Sequence, residues 1–269
     1  TRGGAPLDDT QRRVLEAFVR QAALAIGRLQ LAAEARDAAL RARSEELRSA
    51  LLAAVSHDLR TPLAVITGAA TSLRDGGALG VAARSELLDT VIEEAQRLER
   101  VLANLLALTR VESGLEPVRE WVPAEELIGA ALTRLEAVLG DRAVTVVVAP
   151  EIAVPVDPVL FEQALINLLE NAVKHGEPPI DVRVERRGEA VEIEIGDRGP
   201  GVPVGSERRV FEKFFRASAA PGVGLGLAVV RGLVEAHGGT ITAANRPGGG
   251  ACFRIVLPAT AAPAPAPPP

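Results

Sequence analysis

Apolar residues recur at helical spacing through much of the first half of the chain. Seven of them run from Leu52 to Leu73 at intervals of three and four residues, and a second series with the same intervals runs from Leu88 to Leu105. Glycines around residues 76–80 separate the two series. The pattern predicts a helical hairpin whose second helix spans about Ser85 to Glu112. Because one hairpin cannot cover both stripes, we expect a homodimer in which two hairpins form a four-helix bundle.

Residues 9–57 precede this hairpin and contain no proline and a single glycine. Alanine, leucine, arginine and glutamate dominate, and all four are good helix formers. Leu15, Phe18, Ala22, Ala25 and Leu29 follow a spacing typical of a coiled coil. We therefore expect one long signalling helix that continues into the hairpin.

The pattern changes after Pro117, where short β-branched and alternating runs predict strands. The predicted strands are Val118–Val122, Val144–Val148, Ile180–Arg186, Ala190–Gly196, Thr240–Ala244 and Ala251–Val256. The predicted helices are Pro123–Leu139, a helix from Asp157-Pro158 to His175, and Gly222–His237. Together they predict an α/β sandwich, followed by an alanine- and proline-rich tail that is expected to be disordered.

Composition narrows the class of protein. The 269 residues are 48% hydrophobic and 24% charged, which is typical of a globular chain. A net charge of −5 argues against nucleic acid as a partner. The single cysteine excludes an internal disulfide. One cysteine and three histidines also leave few ligands for a zinc site. No apolar run reaches the length of a transmembrane helix, so we expect no membrane segment in this fragment; the parent protein's anchoring stays open.

His57 lies in the sequence Ser56-His57-Asp58-Leu59-Arg60-Thr61-Pro62-Leu63. A helix turns about 100° per residue, which puts His57 roughly 160° from the apolar stripe and therefore towards water. Thr61, four residues on, shares the face of His57. An exposed neutral imidazole beside the Asp58 carboxylate can act as a nucleophile, because the carboxylate stabilises the cation that forms. An ordinary surface histidine is the alternative interpretation.

A second polar cluster follows in Asn167-Leu168-Leu169-Glu170-Asn171-Ala172-Val173-Lys174-His175. Helical spacing puts Asn167, Asn171 and Lys174 on one face, with Glu170 beside them. An amide oxygen suits a hard metal ion, and a lysine suits phosphate. The same pattern also fits the solvated side of a helix.

Three later segments carry glycine or phenylalanine. Asp197-Arg198-Gly199-Pro200-Gly201 follows a strand, where the carboxylate can accept a hydrogen bond from an exocyclic amine and the glycines admit a base. Phe211-Glu212-Lys213-Phe214-Phe215-Arg216 is either a hydrophobic anchor or the hinge of a lid. Gly222-Val223-Gly224-Leu225-Gly226-Leu227 enters a helix and can present free N–H groups to phosphate. Each segment alone is also explained by a turn or a small core.

The octet around His57 resembles the H box of bacterial sensor histidine kinases. The four later segments resemble the N, G1, F and G2 boxes of that family, in the same order, and the resemblance covers about residues 40–258. Ser49–Ala70 and Asn167–Lys174 are similar to the potassium-responsive KdpD-type members. Residues 7–35 resemble the last helix of a GAF-type domain.

The resemblance implies an α plus α/β architecture in four parts. Residues 1–45 would be a signalling helix at the end of a GAF-like sensor domain, and 46–114 the dimerisation and phosphotransfer domain. Residues 115–258 would be an ATP-binding domain of the GHKL type, and 259–269 a disordered tail. It also implies a cytoplasmic fragment, a response regulator receiver domain as partner, and a potassium or osmotic response.

The resemblance further implies that ATP and Mg²⁺ are the cofactors and that His57 accepts the phosphoryl group. Asp58 would assist as an acid/base group, Thr61 would position water for dephosphorylation of the regulator, and Glu170 would belong to the catalytic set. Asn171 would bind the metal. The implied nucleotide-binding residues are Asn167, Asn171, Lys174, His175, Asp197, Gly199, Gly201, Phe214, Arg216, Gly222, Gly224, Leu225 and Gly226.

Two other classes share parts of this pattern. Another ATPase of the same GHKL fold would not need an exposed histidine on a hairpin. A non-catalytic dimeric signalling scaffold would not need every polar residue of the nucleotide segments. Both are disfavoured, and transfer of phosphate from ATP to a histidine separates them from a kinase.

Overall fold

The structure is a computed structural model, and it describes residues 18, 20, 21, 30, 36, 56, 59–75, 80–114, 116–217 and 224–259. The chain divides into two compact units, Thr1–Ser56 and His57–Pro269. In the first unit the six described residues are helical. Most of the predicted helix 9–57 lies outside the described residues, as do His57, Asp58, Gly222 and the tail from residue 260.

Two long helices open the second unit. Helix α1 covers the described residues 59–75 and continues through Pro62. Helix α2, Val81–Glu112, begins four residues before the predicted start, directly after Gly80 in an extended conformation. None of the described helices is long and apolar enough to cross a membrane.

Both helices keep part of their apolar stripe uncovered within one chain. On α1, Pro62 and Ala69 are buried, whereas Leu63 is 56% exposed. On α2, about half of the surface remains exposed on four large apolar side chains: Leu88, Ile92, Leu102 and Leu106. Their spacing places them along one side of the helix. The second unit therefore carries an apolar face that its own described residues do not cover.

The rest of the second unit is a mixed α/β fold. Its helices are α3 (Ala124–Arg134), α4 (Glu136–Leu139), α5 (Pro158–His175) and α6 (Gly226–Ala236). Its strands are β1 (Glu120–Pro123), β2 (Val144–Val148), β3 (Ala153–Val156), β4 (Ile180–Arg187), β5 (Ala190–Gly196), β6 (Thr240–Asn245) and β7 (Ala251–Pro258). The fold class expected from the sequence, a helical region followed by an α/β domain, is confirmed.

Five strands form the main sheet in the order β2-β4-β5-β7-β6, and β1 pairs with β3 in a separate two-stranded ribbon. Strand β2 runs parallel to β4, and the other pairs in the main sheet are antiparallel. Alternate residues on the central strands are buried, among them Val182, Ile193 and Ile255. Charged residues such as Arg183, which lies opposite Glu194, occupy the intervening positions. The alternation gives one sheet face to the helices and the other to solvent.

The largest further differences from the expectations concern β3, the division between α3 and α4, and the start of α6. Strand β3 was not predicted, since Pro155 interrupts its short apolar run; the ribbon tolerates a proline because it has two free edges. The helix predicted over Pro123–Leu139 is divided at Leu135, whose N–H is shared between the carbonyls of Ala131 and Leu132. Helix α6 begins at Gly226 rather than Gly222, because Gly224 has a left-handed φ of 70°.

Candidate functional site

A cavity of about 540 Å³ lies between α2, α5, the start of α6 and the sheet. Most of the predicted nucleotide residues line it, together with the predicted catalytic residue Glu170: Asn167, Asn171, Lys174, His175, Asp197, Gly201, Arg216, Gly224, Leu225 and Gly226. Gly199 and Phe214 are not among the residues that line the cavity. Phe215, the neighbour of Phe214, does line it. Thr61 is exposed on α1.

Helix α5 supplies the polar wall of the cavity. It starts at Pro158, after the Asp157 side chain accepts a hydrogen bond from the Leu160 N–H at 3.1 Å, a typical N-cap. Leu165, Leu168 and Leu169 face the core, which turns the amide and charged residues towards the cavity. The predicted helix therefore has the predicted polar face.

Glu170 is a buried carboxylate between two cations. Its side chain is 8% exposed; Oε2 lies 2.5 Å from Lys174 Nζ, and Oε1 lies 3.0 Å from Arg100 Nε on α2. These two positive charges compensate the cost of burying the carboxylate. Lys174 and Arg100 thus flank the same point in the cavity wall.

Asp197 follows strand β5 and is 3% exposed. Its Oδ1 accepts hydrogen bonds from the N–H groups of Gly199 at 2.8 Å and Ala251 at 3.3 Å. No described residue donates to Oδ2. One carboxylate oxygen is thus held by the backbone, and the other is available to an amine donor such as that of adenine.

Close backbone approach explains the glycines near Asp197. A Cβ on Gly176 would lie 2.4 Å from Asp197 Cβ, and one on Gly199 would lie 2.6 Å from Gly176 Cα. Both distances are shorter than a side chain tolerates. The end of α5 and the Asp197 loop are therefore packed backbone against backbone.

An ion cluster braces this loop. The Asp181 carboxylate on β4 lies 2.7 Å from Arg198 Nη2 and 2.8 Å from Arg246 Nη1. The cluster ties the residue next to Asp197 to the neighbouring strand. Sequence reasoning did not find it, since its members belong to three distant segments and fit no motif.

Phe214 and Gly224 are neighbours, and Gly224 lines the cavity. The Phe214 N–H donates to the Gly224 carbonyl at 3.0 Å, and Phe214 itself has a left-handed φ of 67°. A Cβ on Gly224 would lie 2.8 Å from the Phe215 carbonyl oxygen. The backbones of Phe214 and Gly224 are therefore in direct contact, and Phe214 holds a strained conformation.

Helix α6 starts at the far end of the cavity from Asp197. A Cβ on Gly226 would lie 3.8 Å from Asn167 Oδ1, so the helix N-terminus and the first asparagine of α5 are neighbours. Free N–H groups and the positive end of the helix dipole favour an anion there. The cavity thus has an amine-accepting end at Asp197 and an anion-binding end at Gly226.

Helix α2 contributes a wall that was not predicted. Arg97, Arg100, Val101 and Asn104 line the cavity. Asn104 Oδ1 accepts hydrogen bonds from Asn167 Nδ2 at 2.8 Å and from Gln163 Nε2 at 3.3 Å. The signal in the sequence was the spacing of three polar residues, Arg97, Arg100 and Asn104, whose intervals of three and four place them on one face of the helix.

The same helix packs on α6 and forms an ion pair with Lys213. A Cβ on Gly232 would lie 2.6 Å from Val111 Cγ1, so α2 and α6 approach closely at that glycine. Glu112 forms an ion pair with Lys213, the residue before Phe214. The last third of α2 therefore belongs structurally to the α/β domain that contains the cavity, which we call the cavity domain.

Two histidines of the second unit have perturbed pKa values. Partial burial lowers the pKa of His175, the Lys174 charge lowers it further, and Asp197 acts in the opposite direction. Burial also lowers the pKa of His237, which lies outside the cavity lining. Both rings are therefore neutral at pH 7.

Two family profiles match the chain. The His Kinase A (phospho-acceptor) domain matches residues 47–114, and the histidine kinase-, DNA gyrase B- and HSP90-like ATPase matches residues 156–261. The first contains α1 and α2, and the second contains the cavity residues of α5, the sheet and the start of α6.

Named relatives point the same way. The sensor protein KdpD of Escherichia coli is 44% identical over 261 residues, which is 94% of this chain and 29% of that protein. KdpD of Mycobacterium tuberculosis is 41% identical over 268 residues, which is 94% of this chain and 31% of that protein. The chain therefore spans less than a third of the length of these relatives.

A solved structure shares both parts of the fold. Full-length ShkA in complex with AMPPNP is 28% identical, with a TM-score of 0.58 over 79% of this chain and 46% of ShkA. That complex holds a nucleotide analogue.

Proposed function

Since the chain belongs to the sensor histidine kinases, we propose that it transfers the γ-phosphoryl group of ATP to His57 and then to an aspartate of a response regulator. The observation that carries this proposal is the two-ended cavity. Asp197 accepts at one end, Asn167 and the α6 N-terminus lie together at the other, and Asn171 and Lys174 line the same cavity. A nucleotide has the matching polarity, with an amine on the base and negative charge on the phosphates.

Mg²⁺ fits the residues near the anion-binding end of the cavity. The Asn171 side chain makes no hydrogen bond to any described residue, and Glu170 Oε1 accepts no aligned hydrogen bond although it is buried. Both groups offer the oxygen ligands that Mg²⁺ prefers. These residues would hold the ion, which would neutralise charge on the phosphate oxygens.

Phosphoryl transfer requires alignment rather than strong covalent activation. A neutral His57 ring nitrogen forms the N–P bond as the bond between the γ-phosphorus and the bridging oxygen breaks, and ADP leaves. Asp58 stabilises the imidazolium that results. Lys174 offers a point charge to the phosphates during the transfer.

Dimerisation and the partner belong to the same proposal. The exposed apolar face of α2, with Leu88, Ile92, Leu102 and Leu106 about half uncovered, supports pairing of two hairpins into a four-helix bundle. The bundle would present His57 to the receiver domain of the regulator. A response to potassium or osmotic stress, implied by the KdpD-type resemblance, is part of this proposal.

Incubation with γ-labelled ATP and Mg²⁺ tests the activity. We expect a label on the protein that is labile in acid and stable in base, as an N–P bond requires. His57→Gln should remove the label but leave ATP binding, measured by calorimetry, unchanged, because the acceptor belongs to the phospho-acceptor region and not to the region that matches the ATPase profile.

Asn171→Ala tests the metal in the same assay. It should abolish labelling without unfolding the protein, as judged by circular dichroism. ATP hydrolysis without any label would favour a GHKL ATPase, and ATP binding with neither reaction would favour a scaffold. A label that persists in His57→Gln would place the acceptor elsewhere.

A further inference from the structure

The two ends of the cavity locate the phosphates of a bound nucleotide. Asp197 and His175 mark the base end, and Asn167 beside the α6 N-terminus marks the phosphate end. Groups that contact Asn167 and its neighbour Glu170 therefore lie next to the terminal phosphates. This assignment rests on the proposed function, because it requires that ATP occupies the cavity.

Helix α2 makes its polar contacts at this phosphate end. Asn104 is hydrogen-bonded to Asn167, and Arg100 faces Glu170 one helical turn further along α5. Arg97, a turn before Arg100, also lines the cavity. Two guanidinium groups of α2 thus stand where negative charge is expected.

Arg100 has hydrogen-bonding capacity to spare. Its Nε lies 3.0 Å from Glu170 Oε1, but that oxygen accepts no aligned hydrogen bond from any described residue, so the pair is electrostatic only. The Arg100 side chain is 32% exposed. By contrast, Arg198 forms a hydrogen bond of 2.7 Å to Asp181. A guanidinium with uncommitted donors suits bidentate binding of phosphate.

We propose that Arg100 is a ligand of the terminal phosphates of ATP, so that α2 of the phospho-acceptor domain completes the triphosphate site. Arg97 adds positive charge at the same end. Binding of ATP and docking of α2 then stabilise each other, because coupling between two binding events is reciprocal. A diphosphate, which lacks the outermost group, gains less from this contact.

Calorimetric titration of the full chain with ATP, ADP and adenosine, each with Mg²⁺, tests the contact. We expect Arg100→Gln to weaken ATP binding by roughly ten- to a hundredfold, the range for one charge-assisted hydrogen-bonding group. ADP binding should weaken less, and adenosine binding should not change. Arg100→Lys, which keeps the charge, should recover part of the loss.

Arg84→Gln is the matched control. Arg84 is an exposed arginine of the same helix, sixteen residues and about 24 Å away along its axis. The Arg84→Gln variant should bind ATP, ADP and adenosine with the affinities of the unmodified protein. Equal weakening of ATP and adenosine by Arg100→Gln would indicate damage to the cavity and would overturn the proposal.

A second comparison separates a direct contact from an effect through Glu170. In a Glu170→Gln background, Arg100→Gln should still weaken ATP binding. If Arg100→Gln has no further effect in the Glu170→Gln background, Arg100 only compensates the carboxylate and the proposal is overturned. Unchanged or tighter ATP binding by Arg100→Gln alone would also overturn it. If the unmodified chain binds no ATP, the proposed function itself fails, which is a separate outcome.

Discussion

Replacing His237 by phenylalanine should destabilise the cavity domain and remove part of the pH dependence of its stability. His237 follows α6 and is 1% exposed. Its Nε2 accepts a hydrogen bond from the Asp157 N–H at 3.0 Å, and its Nδ1 lies 2.7 Å from the Leu233 carbonyl oxygen. The ring also packs edge-on against Phe161, with centroids 5.7 Å apart. It therefore joins the end of α6 to the start of α5.

These contacts require the neutral ring with its proton on Nδ1. Burial is the largest cause that lowers the pKa of His237; the Leu233 carbonyl raises it, Arg119 lowers it and Asp157 raises it. Protonation at Nε2 would replace the acceptor with a second donor facing the Asp157 N–H. The folded protein thus favours the uncharged form.

The size of the destabilisation follows from the groups that are left behind. Phenylalanine keeps the ring and its packing on Phe161 but leaves the part-buried Asp157 N–H without its acceptor, which costs about 1–3 kcal/mol. Loss of the bond to Leu233 costs about 1 kcal/mol more, because that carbonyl keeps a backbone partner. We expect His237→Phe to lower the free energy of unfolding by about 2–4 kcal/mol at pH 7.5.

The difference between the two proteins should shrink in acid. A lowered pKa in the folded state means that the unfolded chain binds the proton more readily below about pH 6.5. The unmodified protein then loses up to about 1.4 kcal/mol per pH unit, until the folded pKa is reached. The His237→Phe variant has no histidine at this position and therefore lacks this pH-dependent loss of stability. The His175 contribution is common to both and cancels.

Urea unfolding at pH 7.5, 6.5 and 5.5 measures these differences. Trp121, the single tryptophan, lies on β1 opposite Pro155 of β3, the strand that leads into Asp157. Its fluorescence therefore reports the region around His237. If the unmodified protein and His237→Phe differ in unfolding free energy by the same amount at all three pH values, the conclusion that His237 is buried in its neutral form is wrong.

Three further predictions concern the cavity and α1. Asp197→Asn should weaken ATP binding by roughly ten- to a hundredfold in calorimetry, since it removes a charged acceptor of the base amine; equal affinity would remove Asp197 from the site. Thr61→Ala should keep most labelling from ATP and lose most dephosphorylation of the regulator, and a parallel fall of both activities would make Thr61 structural. Gly176→Ala should reduce ATP affinity at least tenfold, because its Cβ would lie 2.4 Å from Asp197 Cβ, whereas Gly129→Ala on α3, with nothing within 4 Å, should not.

The sequence predicted elements well wherever one physical signal dominated. The β-branched run Val144–Val148 and the N-cap at Asp157 placed β2 and the start of α5 correctly. Strand β3 escaped because Pro155 weakens its pattern. The start of α6 was wrong because a left-handed Gly224 cannot be distinguished from a helical glycine by composition.

Site residues within one segment were easier to predict than contacts between segments. The polar face of α5 and Asp197 both line the cavity. The α2 wall was missed because Asn104 meets Asn167 across 63 residues of chain, and helical periodicity describes only the helix that carries it. The pairing of Asp181 with Arg246 was missed for the same reason.

Helix α2 is also long enough to act as a lever. Its 32 residues extend about 48 Å. Its last turns are held by Val111 against Gly232 and by Glu112 on Lys213, whereas its first turns lie among the exposed apolar residues of the hairpin. A tilt of about 5° at the hairpin end would move the held end by about 4 Å, more than the length of a hydrogen bond. A small rotation of the hairpin would therefore displace the residues of α2 that line the cavity far enough to make or break their contacts.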